Sequence, residues 1–240
     1  MNIGVIFAGG SGTRMHTIDK PKQFITVYGK PVIIHTLEHF EECKDIDAVV
    51  ISCLKGWESF LKDLLVKYQI KKVKDIVEGG TTGQLSIYNG LCAAEKVANG
   101  EKSIVLIHDG VRPLISAELL SQNIESVKKY GSAITTGIVK ETIVVTNDNG
   151  AISEIPDRSA CRVAKAPQSF WLDEILKVDR KALAEGFDTA YDSCCLMSSY
   201  GYDLHMVDGP IENIKVTTPD DIYTLRSVLE KQENKQIYGF

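Results

Sequence analysis

The chain has no excess of positive charge, no paired-cysteine motif, no long apolar run and no lysine directly behind its first glycine cluster. Each absence removes a class of function. Its 27 Lys and Arg residues stand against 32 Asp and Glu, a formal net charge of −5. Surfaces made for nucleic acid carry a basic excess, so no nucleic-acid partner is expected and any phosphate site must be local. The six cysteines (Cys43, Cys53, Cys92, Cys161, Cys194 and Cys195) contain no CxxC spacing. That removes the usual zinc and redox frameworks and leaves reduced, mostly buried thiols as the expectation. No stretch approaches the roughly 20 apolar residues of a bilayer span, and MNIGVIFAGG has no basic segment ahead of its short apolar run. A soluble, cytoplasmic protein without membrane association is expected.

What the chain does have is a series of short β-branched runs, at residues 3–7 (IGVIF), 47–52 (DAVVIS), 102–108 (KSIVLIH), 132–139 (SAITTGIV) and 205–209 (HMVDG). Continuous rather than alternating apolar character marks strands buried on both faces of a mostly parallel sheet. Helical patterns lie between them: residues 31–43 carry Ile33, Leu37 and Phe40 on one stripe, and residues 58–68 carry Phe60, Leu64 and Leu65. This alternation predicts an α/β fold, a doubly wound, mostly parallel sheet with a ligand crevice at the C-terminal ends of its strands. A length of 240 residues suits one domain spanning 1–240. Residues 140–165 break the pattern, because TIVV and AISEI flank TNDNG, whose Asn149-Gly150 is a hairpin-turn signal. A projecting β-arm is expected; a lone hairpin buries too little to stand by itself, so a second copy of the chain is its natural partner. Further on, a helix over residues 171–186 ends at Gly186, and a last helix takes Thr218 as its N-cap and Pro219 as its first residue.

The first strand runs directly into AGGSGTR, residues 8–14. Small residues there let backbone N–H groups face an anion, and Arg14 adds charge. The loop is neither GxxxxGK[ST] nor GxGxxG, so the common ATPase and dinucleotide readings lose their support. Seven residues beyond Arg14, Pro21 stiffens the approach to Lys22, and the two cations could clamp a triphosphate. In EGGTTGQLSIYNGL, Gly79 and Gly80 permit close backbone approach to a flat base, and Ser86 stands at the start of a helix. In IHDGVRP, Asp109 directly follows a buried strand, where a carboxylate can hold a divalent cation or a substrate hydroxyl, or simply form a turn with Gly110.

FAGGSGTRM, KPKQF, GGTTGQLSIYNG, HDGVRP, APQSF and ENIKVTTPDDI stand in the order and spacing of the cytidylyltransferases that act on sugar-alcohol phosphates. The chain resembles that family from Ile3 to about Leu225. The resemblance implies a Rossmann-like nucleotidyltransferase fold and a reaction in which the acceptor's phosphate attacks the α-phosphorus of CTP and pyrophosphate leaves. It implies Mg²⁺ as cofactor, with Asp109 as its protein contact. Arg14, Lys22 and Lys215 are implied as catalytic contacts to the triphosphate; Ala8, Gly9, Gly10, Gly12, Thr13, Gly79, Gly80 and Ser86 as the CTP pocket; and Asp109, Arg112, Thr142, Arg158 and Asp192 as the alditol-phosphate site. It further implies a homodimer whose 140–165 arm carries Arg158 to the partner's substrate.

The sequence departs from the family pattern where an arginine is usual and Gly83 stands, where a threonine precedes Pro-Gln and Ala166 stands, and where a threonine precedes Asp192 and Tyr191 stands. KPKQFITVYGKPVIIHTLEHF is more similar to the branch that uses D-ribitol 5-phosphate than to the 2-C-methyl-D-erythritol 4-phosphate branch. These acceptors differ by groups typically worth only about 1–3 kcal/mol in discrimination, so both stay open. A transferase using UTP or GTP and a non-catalytic nucleotide-binding scaffold are the other classes the residues allow, although retention of Arg14, Lys22, Asp109 and Lys215 weighs against a scaffold.

Overall fold

The computed structural model describes residues 1–10, 15 and 20–239. In chain order the elements are β1 (Asn2–Ala8), β2 (Thr26–Val27), β3 (Lys30–Pro31), α1 (Val32–Glu42), β4 (Ala48–Cys53), α2 (Glu58–Lys67), β5 (Val73–Glu78), α3 (Gly83–Ala98), β6 (Ile104–Asp109), α4 (Ala117–Tyr130), β7 (Ser132–Ile138), β8 (Val145–Thr146), β9 (Ile152–Glu154), β10 (Arg162–Trp171), α5 (Leu172–Ala184), α6 (Ser193–Ser199), β11 (Met206–Asp208) and α7 (Pro219–Tyr238). Seven strands form one sheet in the order β11-β7-β10-β6-β1-β4-β5. β1 runs parallel to β4 and β6, β4 to β5, and β7 to β11, while β10 is antiparallel to both of its neighbours. The doubly wound, mostly parallel sheet expected from the apolar runs is therefore present.

Why those runs are continuous is visible in β1. Ile6 and Ala8 enter the core beneath α1, α2 and α4, whereas Ile3 and Val5 enter the core beneath α3, α5 and α6. A period-two strand with apolar layers on both faces needs apolar residues at every position. The α1 stripe is buried as expected. On α2, Leu61 joins Leu64 and Leu65 in the core, and Phe60 is half-buried instead, set edge-on to Phe24 at 5.2 Å and to Trp57 at 5.5 Å. A third apolar cluster, including Val27, Val111, Val216 and Leu225, seats α7 and the segment before it.

Three features correct the sequence reading. β5 and β10 belong to the sheet although neither reads as a strand: β5 is an edge strand with charged Lys74 and Asp75, and β10 contains Pro167 where its register shifts between Ala164 and Gln168. Residues 213–217, which look strand-like, carry no strand. Of the six free cysteines only Cys43 and Cys53 are buried; Cys92 and Cys194 pack against the edge of the core from α3 and α6, Cys161 is half-buried on the arm, and Cys195 is exposed.

The hairpin of the 140–165 segment is formed by β8 and β9. Its turn is closed by Asn147, whose Oδ1 accepts from the N–H groups of Asn149 at 3.1 Å and Ala151 at 3.0 Å, and Gly150 takes φ +77°. At the other end of the chain, Asp221 Oδ2 accepts the Thr218 N–H at 2.7 Å, closing the cap ahead of Pro219. No helix among the described residues is long and apolar enough to cross a membrane.

Candidate active site

The site lies at the C-terminal ends of β1, β5 and β6, where a parallel sheet opens its crevice. β1 delivers Ala8, Gly9 and Gly10; β5 delivers Gly79 and Gly80; β6 ends on Asp109. The first two loops touch. A methyl group placed on Gly79 would stand 3.1 Å from Gly9 Cα and 3.2 Å from the Cys53 carbonyl oxygen, so a side chain there would force one of the two backbones to give way. Gly79 lets the two loops meet, and Gly80 lines the cavity. The cap of α3 is Thr82, whose Oγ1 accepts the Leu85 N–H at 3.1 Å, and not Ser86, the fourth residue of the helix. Ser86 instead fastens the loop: its Oγ accepts the Gly80 N–H at 3.1 Å and donates to the Thr82 carbonyl at 2.9 Å.

Two chambers adjoin here. One, of about 440 Å³, is lined by Ala8, Gly9, Gly10, Lys22, Gly80 and Ser86 among others; the second, of about 220 Å³, by Arg112, Lys165, Gln168 and Asp192 among others. Phe7, Gly83, Asp109 and Lys215 border both and form the wall between them. Lys22 stands on a short 3-10 turn anchored from two sides, because Gln23 Nε2 donates to the Ala8 carbonyl at 2.7 Å and Phe24 stacks on Trp57 at 5.0 Å.

The dividing wall is an ionic cluster. Arg112 Nε lies 2.8 Å from Asp109 Oδ2, and Lys215 Nζ lies 2.5 Å from Oδ1. Burial alone would raise the Asp109 carboxyl, but the Lys215 ammonium and the Arg112 guanidinium outweigh it and hold the group below the usual carboxylate range. Lys215 is kept in place by its neighbours: the Val216 N–H donates to the Val111 carbonyl at 2.9 Å, and buried Asn213 donates through Nδ2 to the Ala166 carbonyl at 2.7 Å. Arg112 Nη1 donates to the Asn213 carbonyl at 3.1 Å, joining the loop after β6 to the same segment. Behind the wall His108 is fully buried; desolvation brings its pKa down to about 4, so it stays neutral, with Nε2 3.1 Å from the Arg112 carbonyl.

The other expected residues divide. Asp192 borders the smaller chamber, but its oxygens are engaged: Oδ1 accepts the Cys195 N–H at the start of α6 at 2.8 Å, and Oδ2 accepts from Gln168 Nε2 at 2.9 Å. Thr142 and Arg158 are exposed on the arm and border neither chamber; Arg158 Nη1 donates to the Lys140 carbonyl at 2.8 Å. Gly12, Thr13 and Arg14 lie outside the described residues. Among the described residues no group of three or more His, Cys, Asp or Glu could hold a metal, and both oxygens of Asp109 face cations. The three departures also have places. Gly83 faces open space on the shared wall, Ala166 is buried, and Tyr191 is 97% exposed at the chamber rim. Gln23, Asn213 and Gln168 escaped the sequence reading because a structural amide has no spacing signature.

A glycine-bordered chamber lined by Lys22 suits a nucleotide, and a smaller one walled by Arg112 and Lys215 suits a compact anionic acceptor. A family model described as 2-C-methyl-D-erythritol 4-phosphate cytidylyltransferase (IspD) matches residues 3–231. A ribitol-5-phosphate cytidylyltransferase of Streptococcus agalactiae serotype V is 52% identical over 239 residues, covering 100% of this chain and 99% of the relative. A 2-C-methyl-D-erythritol 4-phosphate cytidylyltransferase of Clostridium acetobutylicum is 38% identical over 232 residues, covering 96% and 98%. The crystal structure of 4-diphosphocytidyl-2C-methyl-D-erythritol synthase from Anaerococcus prevotii superposes with a TM-score of 0.83 at 31% identity, covering 95% of this chain and 96% of that one. Since the match runs through every strand end that builds the two chambers, the chain belongs to the 2-C-methyl-D-erythritol 4-phosphate cytidylyltransferase (IspD) family of nucleotidyltransferases.

Proposed function

We propose that the chain transfers CMP from CTP to D-ribitol 5-phosphate, giving CDP-ribitol and pyrophosphate. The observation that carries this reading is the pair of chambers sharing the Asp109–Lys215 wall, which sets a nucleotide and a small anion side by side. The choice of acceptor rests on the 52% identity to a ribitol-5-phosphate cytidylyltransferase, against 38% for the relative named for methylerythritol phosphate.

In this reading an oxygen of the acceptor's phosphate attacks the α-phosphorus, and the bond from that phosphorus to the oxygen bridging the β-phosphorus breaks. Such a reaction asks the protein for positioning and charge neutralisation rather than for a proton shuttle. Lys22, which lines the larger chamber, and Arg14 hold the triphosphate, and Lys215 meets it at the wall. Asp109 holds Lys215 and Arg112 in place through its two ion pairs, with its carboxylate beside the acceptor's hydroxyls. Among the described residues the site offers a divalent cation little more than the Asp109 carboxylate, so Mg²⁺ would draw on phosphate oxygens and water, and Asp109 would reach it only by yielding a cationic partner. When bound, the cation neutralises phosphate charge.

The exposed apolar residues of the 140–165 region, Val144, Val145, Ile152, Ile155 and Val163, support an arm that packs on a second subunit. There Thr142 and Arg158 would complete the partner's acceptor chamber, making a homodimer with composite sites. Use of CTP fits a cytoplasmic enzyme. The test is pyrophosphate release from CTP with Mg²⁺ and ribitol 5-phosphate, with CDP-ribitol identified as product. Equal rates with UTP or GTP would reassign the donor, and no transfer to any polyol phosphate would favour a nucleotide-binding scaffold.

A further inference from the structure

Lys165 borders the smaller chamber with Arg112 and Lys215, yet it belongs to none of the motifs that mark the site in the sequence. It projects from β10 at the register shift between Ala164 and Gln168. Its stem lies across Gly137 of β7, where an added methyl group would stand 2.8 Å from Lys165 Cε; the glycine leaves room for the stem. Its Nζ donates to the carbonyl oxygens of Pro210 at 3.2 Å and Ile211 at 3.1 Å. An ammonium carries three donors, and the described residues supply no third acceptor and no ion pair for it.

The surrounding charges are already committed. Asp109 is matched by Arg112 and Lys215, and the oxygens of Asp192 are taken by Gln168 and a helix N–H. Burial, and then the nearby Arg112 guanidinium, lower the Lys165 pKa from its ordinary value, with Glu212 acting in the opposite sense. Two cations on one chamber wall, one with a donor to spare, form an arrangement that an anion relieves.

We infer that Lys165, together with Arg112, binds the phosphate of the acceptor in the smaller chamber. The inference rests on the proposed reaction, in which that phosphate must lie against the shared wall to reach the nucleotide. It also supplies a polar group at a stretch of β10 where the neighbouring Ala166 has none.

Steady-state kinetics of the K165R, K165Q and K165M chains test it. K165Q and K165M are expected to raise KM for ribitol 5-phosphate about tenfold or more while KM for CTP stays within about twofold, with K165R close to the parent. A glutamine can still donate to the Pro210 and Ile211 carbonyls, so parental kinetics in K165Q would make Lys165 a loop staple and overturn the inference, as would equal rises in both KM values. Calorimetric titration of ribitol 5-phosphate into the parent and K165Q chains reads the contact without turnover. Tighter binding by the parent supports it, and equal or absent binding overturns it. A parent that binds this phosphate without turning it over counts against the proposed reaction and not against the contact.

Discussion

Asp109 and Asp179 are both buried carboxylates, and their environments push them in opposite directions. Asp109 is held below the usual range by its two cations. Its stabilising contribution is therefore fully present above the ordinary carboxylate value and is lost as pH falls through its lower folded value. Asp109→Asn releases Lys215 and Arg112 from their anchor and is expected to lower kcat/KM about 100-fold, measured by pyrophosphate release; a loss under about threefold would remove Asp109 from the machinery. Asp179 of α5 faces α3, where Gln84 Nε2 donates to its Oδ1 at 3.0 Å and its Oδ2 has no hydrogen-bond partner among the described residues. Burial raises its pKa to about 6, with the Gln84 bond pulling the other way. A folded value above the unfolded one means that ionisation costs stability as pH rises from about 4, reaching its full cost above about pH 6. Asp179→Asn keeps the acceptor for Gln84 and removes the charge. It is expected to raise stability by about 1–3 kcal/mol at pH 7.5, with the gain closing near pH 4, as thermal melts at the two pH values would read.

At the scale of elements, α3 decides the shape of the nucleotide chamber. It sits close on the sheet because Gly90 has no side chain: a methyl there would stand 2.7 Å from Val5 Cγ1 and 3.0 Å from Ser52 Oγ. Ser52 Oγ donates to the Ser86 carbonyl at 2.5 Å, so helix position and the Ser86–Gly80 fastening are one assembly. Gly90→Ala is expected to cost about 1–3 kcal/mol of stability and to raise KM for CTP more than KM for the acceptor; an unchanged melting temperature would show that the helix can move freely. The same elements show how much the sequence discloses. β1, β4 and β6 are legible because strands with two apolar faces read as unbroken runs, and Asp109 is legible because it ends one of them. β10 is hidden by Pro167, and its antiparallel direction has no local signature, since direction depends on where the preceding arm returns the chain. Lys165 was hidden for the same reason: its meaning comes from Gly137 on a neighbouring strand and from Pro210 and Ile211 on a distant loop.

At the scale of the whole molecule, the arm leaves Arg158 and Thr142 away from their own chain's chambers, with its apolar residues exposed. The proposed composite dimeric site would account for both facts. Mixing Arg158→Ala chains with Lys22→Ala chains should therefore regain activity that neither homodimer has, about half the parental rate per heterodimer, because one of its two sites keeps both residues; verified heterodimers with no recovery would confine each site to one chain. The family's reaction was legible from ordered motifs along the whole chain and the ribitol-phosphate branch from KPKQFITVYGKPVIIHTLEHF, but the contacts that would select the acceptor were not, since they depend on side chains such as Lys165, Ala166 and Tyr191 meeting in one small chamber. The acceptor is therefore where the account is most exposed. The most direct measurement is the ratio of kcat/KM for D-ribitol 5-phosphate to that for 2-C-methyl-D-erythritol 4-phosphate, with CTP as donor and one enzyme preparation. The account predicts a ratio above about ten, within the reach of small-group discrimination; a ratio below one would contradict it.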